Sequence, residues 1–363
     1  MESKLKISDL IITLVVLVAL VLIIGIQKES KSDIAARIKS KCTSGPIGGK
    51  ETCYSKEFEG LASKQGPKFS FDVLHLLQGI DPKAKGCHLI SHGIGEGSYR
   101  RDPKNWQGLI ENMPMECNYG SIHGVIQGYI GSLPDKTLTK EIIPSICGQN
   151  PRADCNHIVG HLILVETDTD VSKALDFCEV FSDVGQRDFC QTGVFMEYST
   201  ALNLINHGLV PKSWLNWPAR LDEIEKLCRS YDREKAINCW TEIVHVALVK
   251  FNNDPNLIFN LCDKAPLAEA TKRCKRHSLG VMAASRQFDL ANLKYICHIP
   301  QKNDSNFEDE CYGDFVSSTL STIPTMISEV VSFCRSLDKK FESSCLSVID
   351  NFRNQASHIK TND

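Results

Sequence analysis

Residues 171–197 read VSKALDFCEVFSDVGQRDFCQTGVFME, and this stretch contains the unit on which the fold prediction depends. Its first part carries apolar side chains at helical spacing: Val171, Ala174, Leu175 and Cys178. Residues at i, i+3, i+4 and i+7 share one helix face, so this part predicts an amphipathic helix that ends at Cys178. Cys190 then opens a second helical segment. The stretch predicts two helices joined by a short link, with one cysteine on each side of the link.

The 16 cysteines of the chain repeat this unit. One series recurs at intervals of 30 to 49 residues, most of them 34 to 38: Cys53, Cys87, Cys117, Cys155, Cys190, Cys239, Cys274, Cys311 and Cys345. A second series precedes members of the first by 8 to 14 residues: Cys42, Cys147, Cys178, Cys228, Cys262, Cys297 and Cys334. A period of about 35 residues is typical of α/α hairpin repeats. We therefore predict an all-α fold, a disulfide-stapled array of α/α hairpin repeats that forms either an open solenoid or a closed toroid.

Each short-range cysteine pair is predicted to form a disulfide. Such a bond would join the end of one helix to the start of the next, where the Cα atoms can approach to the roughly 4.4–6.8 Å that a disulfide requires. Cys87 and Cys117 have no short-range partner and are predicted to pair with each other. The alternative, that the cysteines bind zinc, is disfavoured because no Cys-x-x-Cys motif occurs, and its absence also excludes thioredoxin-type redox chemistry.

The arrangement resembles secreted cysteine-rich repeat proteins of the tetratricopeptide superfamily. The resemblance rests on Ala174-Leu175-Asp176-Phe177-Cys178, which ends a first helix, and on Cys190-Gln191-Thr192-Gly193, which opens a second. By cysteine spacing it covers residues 42–350. The resemblance implies that a protein or another ligand binds on a concave face, and it brings no catalytic residues with it.

The N-terminal segment predicts the compartment. Leu10–Ile26 is apolar except for Thr13 and has the minimum length of a membrane-spanning helix. A cleaved signal peptide is the alternative, but no small-x-small cleavage site follows, so we favour an uncleaved signal anchor. The even number of cysteines is typical of an oxidising compartment. The bulk of the chain is therefore predicted to lie outside the cytoplasm, in a periplasmic or extracellular space.

The predicted organisation has five parts. They are a cytoplasmic N-terminus (1–9), the transmembrane signal anchor (10–26), a polar, partly helical spacer (27–41), an extracytoplasmic helical-repeat domain (42–350) and a tail (351–363). The membrane is the predicted partner of the anchor, and a protein partner could bind the surface of the repeats. Nucleic acid is excluded as a partner because 41 Lys and Arg stand against 44 Asp and Glu, which leaves no excess of positive charge.

An insertion interrupts the cysteine period between Cys190 and Cys239, the longest interval in the first series. It contains Trp214 and Trp217, each close to a proline. Aromatic side chains often anchor protein interfaces, so one interpretation is a loop that binds a partner. The alternative is that the insertion plugs the array where the repeat is interrupted.

Histidines form a second pattern. Five of the 11 fall within a few residues of three consecutive first-series cysteines: His88, His92, His123, His157 and His161. His88 and His92 form one i, i+4 pair and His157 and His161 another, so each pair shares one helix face. Stacked helices would bring these imidazoles to one ion. The sequence thus predicts a transition-metal site for zinc, iron or copper and no other cofactor.

Carboxylates and glycines accompany the histidines. Glu197, seven residues after Cys190, is a predicted sixth ligand, and Glu96 and Glu166 are further candidates. Several glycines adjoin the histidines: Gly93, Gly124 and Gly160. Glycine inside a helix costs roughly 1 kcal/mol relative to alanine, so these glycines predict helix backbones in close approach. The alternative is that the glycines only permit tight packing and the histidines are hydrogen-bonded in the core.

Two functions remain open. The favoured one is a binding scaffold that holds a metal ion or a partner in a histidine-lined groove near residues 88–197, because repeat folds bind more often than they catalyse. The alternative is a metal-dependent redox or hydrolytic enzyme in which Glu197 or Glu166 acts as the base. His-Glu-x-x-His and Gly-x-Ser-x-Gly are both absent, which removes two common hydrolase motifs.

Other residues in the second half test the register of the repeats. His245 keeps a six-residue offset from Cys239, whereas His277 and His298 are interpreted as isolated residues with ordinary polar contacts. The basic cluster 272–276 should lie beside the acidic cluster 308–310 if consecutive repeats stack in the expected register.

Overall fold

The computed structural model of the protein describes residues 29–43, 49–133, 138–148, 153–200, 220–299 and 306–360. The α-helices in these ranges are α1 (Lys31–Thr43), α2 (Gly49–Gln65), α3 (Pro67–Ile80), α4 (His88–Arg101), α5 (Trp106–Asn112), α6 (Gly120–Ser132), α7 (Ile143–Ile146), α8 (Ala153–Glu166), α9 (Val171–Cys178), α10 (Val184–Thr200), α11 (Leu221–Ser230), α12 (Arg233–Glu242), α13 (Val244–Lys250), α14 (Pro255–Cys262), α15 (Ala268–Ser285), α16 (Leu290–Cys297), α17 (Phe307–Thr322), α18 (Ile327–Arg335) and α19 (Lys339–Lys360). Short 3₁₀ helices occur at Pro82–Lys85, Pro103–Asn105 and Pro324–Met326. The described ranges contain no β-strand, so the all-α prediction is confirmed.

The stretch 171–197 folds as its periodicity predicts. The apolar face of α9 is buried, and Asp170 caps the helix by accepting a hydrogen bond from the backbone N–H of Lys173 at 3.1 Å. An Asp at this position satisfies one of the backbone donors that a helix start leaves unpaired. Cys178 ends α9 and is bonded to Cys190 in the first half of α10.

All eight predicted disulfides are present. They are Cys42–Cys53, Cys87–Cys117, Cys147–Cys155, Cys178–Cys190, Cys228–Cys239, Cys262–Cys274, Cys297–Cys311 and Cys334–Cys345. Their Cα–Cα distances range from 5.2 to 5.7 Å, and no cysteine is free. Eight intramolecular disulfides indicate an oxidising, extracytoplasmic environment.

The longer helices pack against one another in chain order. α2 packs on α4, α4 on α6, α8 on α10, α10 on α12, α12 on α15, α15 on α17, and α17 on α19. The helix that precedes a disulfide packs on the longer helix that follows it, as α9 does on α10 and α14 on α15. Positions at the same depth on neighbouring long helices therefore lie side by side.

Ion pairs between α15 and α17 test the register. Lys272 Nζ lies 3.2 Å from the carboxylate of Glu310, and Arg276 lies 3.6 Å from the same carboxylate. Arg273 is directed instead at Asp188, and Lys275 at Asp263. The predicted pairing of the two clusters is thus confirmed for Lys272 and Arg276. Because these ion pairs are half-exposed, they add little to the free energy of unfolding, but they show which residues of α15 and α17 lie side by side.

One turn recurs after α8, α13 and α15, directly before α9, α14 and α16. It consists of two non-glycine residues with positive φ followed by an Asp that caps the next helix: Asp168-Thr169-Asp170, Asn252-Asn253-Asp254 and Gln287-Phe288-Asp289. Left-handed backbone conformations are uncommon for residues other than glycine, and Asn and Asp tolerate them best. Because glycine is absent from these turns, their sequence gave no strong signal of them.

Residues far apart in the sequence meet where α6 begins. The backbone N–H of Cys117 donates to the carbonyl of Thr322 at 2.9 Å, and the Thr322 hydroxyl donates to the Asn118 side chain at 2.8 Å. Thr322 is the last residue of α17. These hydrogen bonds join the two halves of the chain directly.

The boundaries of the folded part differ from the prediction. The segment predicted as a partly helical spacer, residues 27–41, contains α1 from Lys31, and Ile34, Ala35 and Ile38 of this helix are buried in the core. The tail expected from residue 351 is in part a continuation of α19, which runs to Lys360. Apolar side chains at i, i+1 and i+4 give α1 the buried face that its polar composition obscured.

Two predicted segments lie outside the described residues. They are the signal anchor, residues 10–26, and the insertion with Trp214 and Trp217. Within the part of the chain that the structure describes, no helix combines the length and the apolar character needed to cross a membrane.

Glycines bring neighbouring helices into backbone contact, and in two helix pairs the contact is reciprocal. A Cβ on Gly95 of α4 would lie 1.9 Å from the Ser121 carbonyl oxygen, and one on Gly124 of α6 would lie 2.0 Å from that of His92. Gly160 and Gly193 make the same reciprocal contact between α8 and α10, at 2.0 and 1.9 Å. The predicted close approach of the backbones is confirmed.

Gly95→Ala should therefore destabilise the protein by about 1–3 kcal/mol, the typical cost of overpacking, because α4 and α6 must move apart to admit the methyl group. Gly131→Ala is the matched control within α6, since a Cβ there meets no atom within 4 Å. It should stabilise by up to about 1 kcal/mol through helix propensity. Urea denaturation measures both changes, and equal midpoints for the two variants would contradict the backbone contact.

Candidate metal centre

Three histidines converge between α4 and α6. His88 and His92 lie one turn apart on α4, and His123 faces them from α6 across the glycine contact. The ring centroids are 4.7 Å apart for His88 and His92, 4.9 Å for His88 and His123, and 4.7 Å for His92 and His123. One ring nitrogen from each lies within 4.8 Å of the other two. This trio could hold a single metal ion.

Hydrogen bonds orient two of these rings. His88 Nδ1 lies 3.1 Å from the Cys117 carbonyl oxygen, and His92 Nδ1 lies 3.1 Å from Gln127 Oε1. Each oxygen accepts, so each Nδ1 carries the proton and each Nε2 presents a lone pair. Metal-binding histidines commonly have this arrangement, in which the second nitrogen donates to a carbonyl or carboxylate.

The distance between the two Nε2 atoms fits a shared ion. They are 3.1 Å apart. Two imidazole nitrogens bound to one tetrahedral zinc at roughly 2.0–2.1 Å would be separated by about 3.3–3.4 Å. Two lone pairs at this distance repel each other unless a proton or a cation lies between them. The geometry therefore favours a cation at this point.

The backbone before α6 is strained where it contacts His88. Cys117, Asn118 and Tyr119 have φ of 59°, 50° and 60°. Left-handed backbone costs roughly 1–2 kcal/mol per residue for L-amino acids, and such strain persists only where surrounding contacts hold it. The Cys87–Cys117 disulfide and the hydrogen bond to Thr322 hold it here. The strained turn directs the Cys117 carbonyl at His88.

Burial keeps His88 and His123 neutral at pH 7. It lowers the pKa of His88 to about 4 and that of His123 well below the usual value, and the neighbouring histidines oppose protonation further. The neutral ring is the form that binds metal. His88 and His123 thus present deprotonated donors at pH 7.

The other predicted ligands form a neighbouring group on α8 and α10. His161 Nδ1 donates to the Glu197 carboxylate at 2.5 Å, and its buried Nε2 has no hydrogen-bond partner among the described residues. His157 contacts the Thr192 hydroxyl at 2.9 Å and Met196 Sδ at 3.3 Å. The His161 ring centroid is 5.1 Å from that of His123, so the group adjoins the trio. Burial lowers the pKa of His157 to about 3 and that of His161 to about 4.

The predicted six-residue site is thus divided. The structure brings His88, His92 and His123 together, while His157, His161 and Glu197 stand beside them as a separate group. The division follows the helix pairs, because glycine contacts join α4 to α6 and α8 to α10. His161, with an unpartnered nitrogen, is the one residue of the second group available to the trio's ion.

A further group of potential ligands was not predicted. Glu242, His245 and His277 each place one donor atom within 4.8 Å of the other two. The interpretation of His277 as an isolated residue is therefore wrong. His298 does make ordinary polar contacts, at 2.7 Å to Glu308 and 3.3 Å to Tyr312.

The sequence did contain a signal for this second group. Glu242 and His277 both stand three residues after a first-series cysteine, Cys239 and Cys274 respectively. Neighbouring long helices pack side by side, so equal offsets place the two residues at the same depth. The six-residue offset identifies His245, whereas Glu242 and His277 share a three-residue offset.

Gln127→Leu should weaken metal binding at the trio about 10- to 100-fold, the usual effect of removing a group that orients a metal ligand. The fold should persist, because Gln127 is only partly buried and Leu is similar in size. Competition with a chromophoric chelator measures the zinc affinity. Gln107→Leu, a change of the same kind at an exposed position, is the control. Equal affinities in the two variants would show that Gln127 does not orient a ligand.

Comparison of the chain with protein-family models, with curated proteins and with solved structures finds no match. The resemblance to the tetratricopeptide superfamily stays a prediction.

Proposed function

We propose that this protein binds a transition-metal ion through His88, His92 and His123 in an extracytoplasmic, disulfide-stapled helical domain. One observation carries the proposal: two Nε2 atoms lie 3.1 Å apart while both Nδ1 atoms are engaged with oxygens. Imidazoles held through their Nδ1–H groups direct both Nε2 lone pairs at one point, as metal-binding histidines do.

The donor set suits zinc, copper or iron. Imidazole binds all three, and three protein ligands leave a further coordination position. His161 could fill it, since its Nε2 is buried beside His123. A filled position would make the site one of storage or structure, and an open one would admit a ligand from solution.

The surrounding scaffold is an array of α/α hairpin repeats that closes into a ring. The recurring turn before each capping Asp and the hydrogen bonds between Cys117 and Thr322 support this arrangement. Residues 10–26 anchor the array in a membrane, and residues 1–9 lie in the cytoplasm; the apolar composition of the segment supports the anchor. The ring presents a face on which a protein partner or another ligand binds.

His123→Ala should remove one equivalent of metal per chain, because two imidazoles do not hold the ion through dialysis. The disulfides hold the helices independently of the metal, so the circular dichroism spectrum and the absence of free thiols should be unchanged. Zinc loading, dialysis and elemental analysis give the metal content. His298→Ala, which removes an exposed histidine from a simple carboxylate pair, is the control. A His123→Ala variant with wild-type metal content would refute the site.

A metal-dependent hydrolase is the second candidate, and the Glu197–His161 pair favours it. A carboxylate that holds Nδ1 leaves Nε2 of the same imidazole as a base, here beside the metal trio. Zinc-loaded protein should then hydrolyse a p-nitrophenyl ester, and His161→Ala should reduce the rate 10²- to 10⁴-fold without loss of metal. Loss of metal in this variant would identify His161 as a ligand instead.

A further inference from the structure

We propose that Glu242, His245 and His277 form a second metal site, which takes a divalent first-row cation such as Zn²⁺ or Fe²⁺. The site goes beyond the proposed function, because it shares no residue with the histidine trio. It lies in the second half of the chain, on α12, α13 and α15.

The helices present the three side chains to one point. α12 ends at Glu242, and α13 begins two residues later at Val244. Glu242 and His245 are therefore i, i+3 neighbours on nearly continuous helix, which places them on the same face. α15 packs against both α12 and α13 and carries His277 in its middle. Rigid helices rather than loops set the geometry.

The donor atoms form an almost equilateral triangle. His277 Nε2 lies 3.2 Å from His245 Nε2 and 3.2 Å from Glu242 Oε2, and His245 Nε2 lies 3.3 Å from the same oxygen. Ligands at roughly 2.0–2.1 Å from one tetrahedral zinc ion stand about 3.3–3.4 Å apart. All three edges fit an ion placed just off the plane of the triangle.

Burial makes this arrangement costly without a cation. The Glu242 side chain is only 3% exposed, and two imidazole nitrogens lie within 3.3 Å of its Oε2. A buried carboxylate is costly unless hydrogen bonds or an opposite charge compensate it. A bound cation would satisfy the carboxylate and both nitrogens at once.

The competing interpretation is an ion pair between protonated His277 and Glu242. Burial opposes this charge, but the Glu242 carboxylate outweighs it and raises the pKa of His277. Such a pair would place the positive charge on His277 alone, whereas Glu242 Oε2 lies 3.2 Å from His277 Nε2 and 3.3 Å from His245 Nε2. A single cation would bind all three atoms, and these nearly equal distances favour it.

The carboxylate gives this site a different preference from the trio. Two histidines and one carboxylate on one face of an ion are typical of iron(II) and zinc sites with open positions, whereas the trio is neutral and made only of imidazole. The negative charge of Glu242 also compensates part of the charge of a dication. The second site should accordingly discriminate more strongly against monovalent Cu⁺.

Zinc stoichiometry separates the two sites. Full-length protein is loaded with Zn²⁺, dialysed and subjected to elemental analysis as wild type, His123→Ala, His277→Ala, the double variant and His298→Ala. We expect two, one, one, zero and two equivalents per chain. If the His123→Ala variant holds no zinc, the second site does not exist. If His277→Ala in the same experiment holds one equivalent, that zinc is bound by the trio. Wild type with one equivalent that His277→Ala removes would uphold the second site and refute the trio.

A second measurement guards against loss of fold. In the His123→Ala background, Zn²⁺ should raise the melting temperature, since a ligand that binds only the native state stabilises it. Adding Glu242→Gln, which keeps the size and polarity of the side chain, should abolish this rise and lower zinc affinity at least tenfold. An unchanged rise with Glu242→Gln would show that the carboxylate binds no metal and that Glu242, His245 and His277 are a polar core cluster.

Discussion

Helix backbones in direct contact are the constraint on which the candidate sites depend. Gly95 and Gly124 occupy positions where any side chain would collide with a carbonyl oxygen of the opposite helix. Only at this separation do imidazoles on α4 and α6 reach one another, because the side chain is short. The glycines lower the intrinsic stability of both helices, and packing between the helices must compensate for it. The same arrangement between α8 and α10 brings His161 to Glu197.

The disulfides and the candidate metal sites use different side chains. Every cysteine is oxidised, so no thiolate is available to bind metal. Imidazole and carboxylate are the donors that remain usable in an oxidising compartment. The trio offers imidazole alone, and the second group offers two imidazoles and the Glu242 carboxylate. The disulfide Cys87–Cys117 has two effects on the trio. It joins the starts of the two helices that carry the trio, and it fixes the carbonyl that orients His88.

Sequence reasoning predicted the features that have a period. Cysteine spacing predicted the helix pairs and all eight disulfides, and histidine offsets predicted a set of five histidines to which the trio belongs. It did not predict features that are locally unfavourable and are stabilised only by contacts between distant parts of the chain. The left-handed residues Cys117–Tyr119 carry no glycine, and the buried carboxylate of Glu242 stands where charge is usually exposed. Glu242 and His277 also stand three residues after a first-series cysteine, outside the six-residue offset that identified His245.

The hydrogen bonds between Cys117 and Thr322 have a consequence for cooperativity. In an open row of helix pairs, each pair contacts only its neighbours, so the row can fray from either end and lose its units one at a time. Here hydrogen bonds tie the start of α6 to the end of α17, so fraying at either helix must also break this contact. The histidine trio adjoins the contact through His88, whose Nδ1 lies 3.1 Å from the Cys117 carbonyl oxygen.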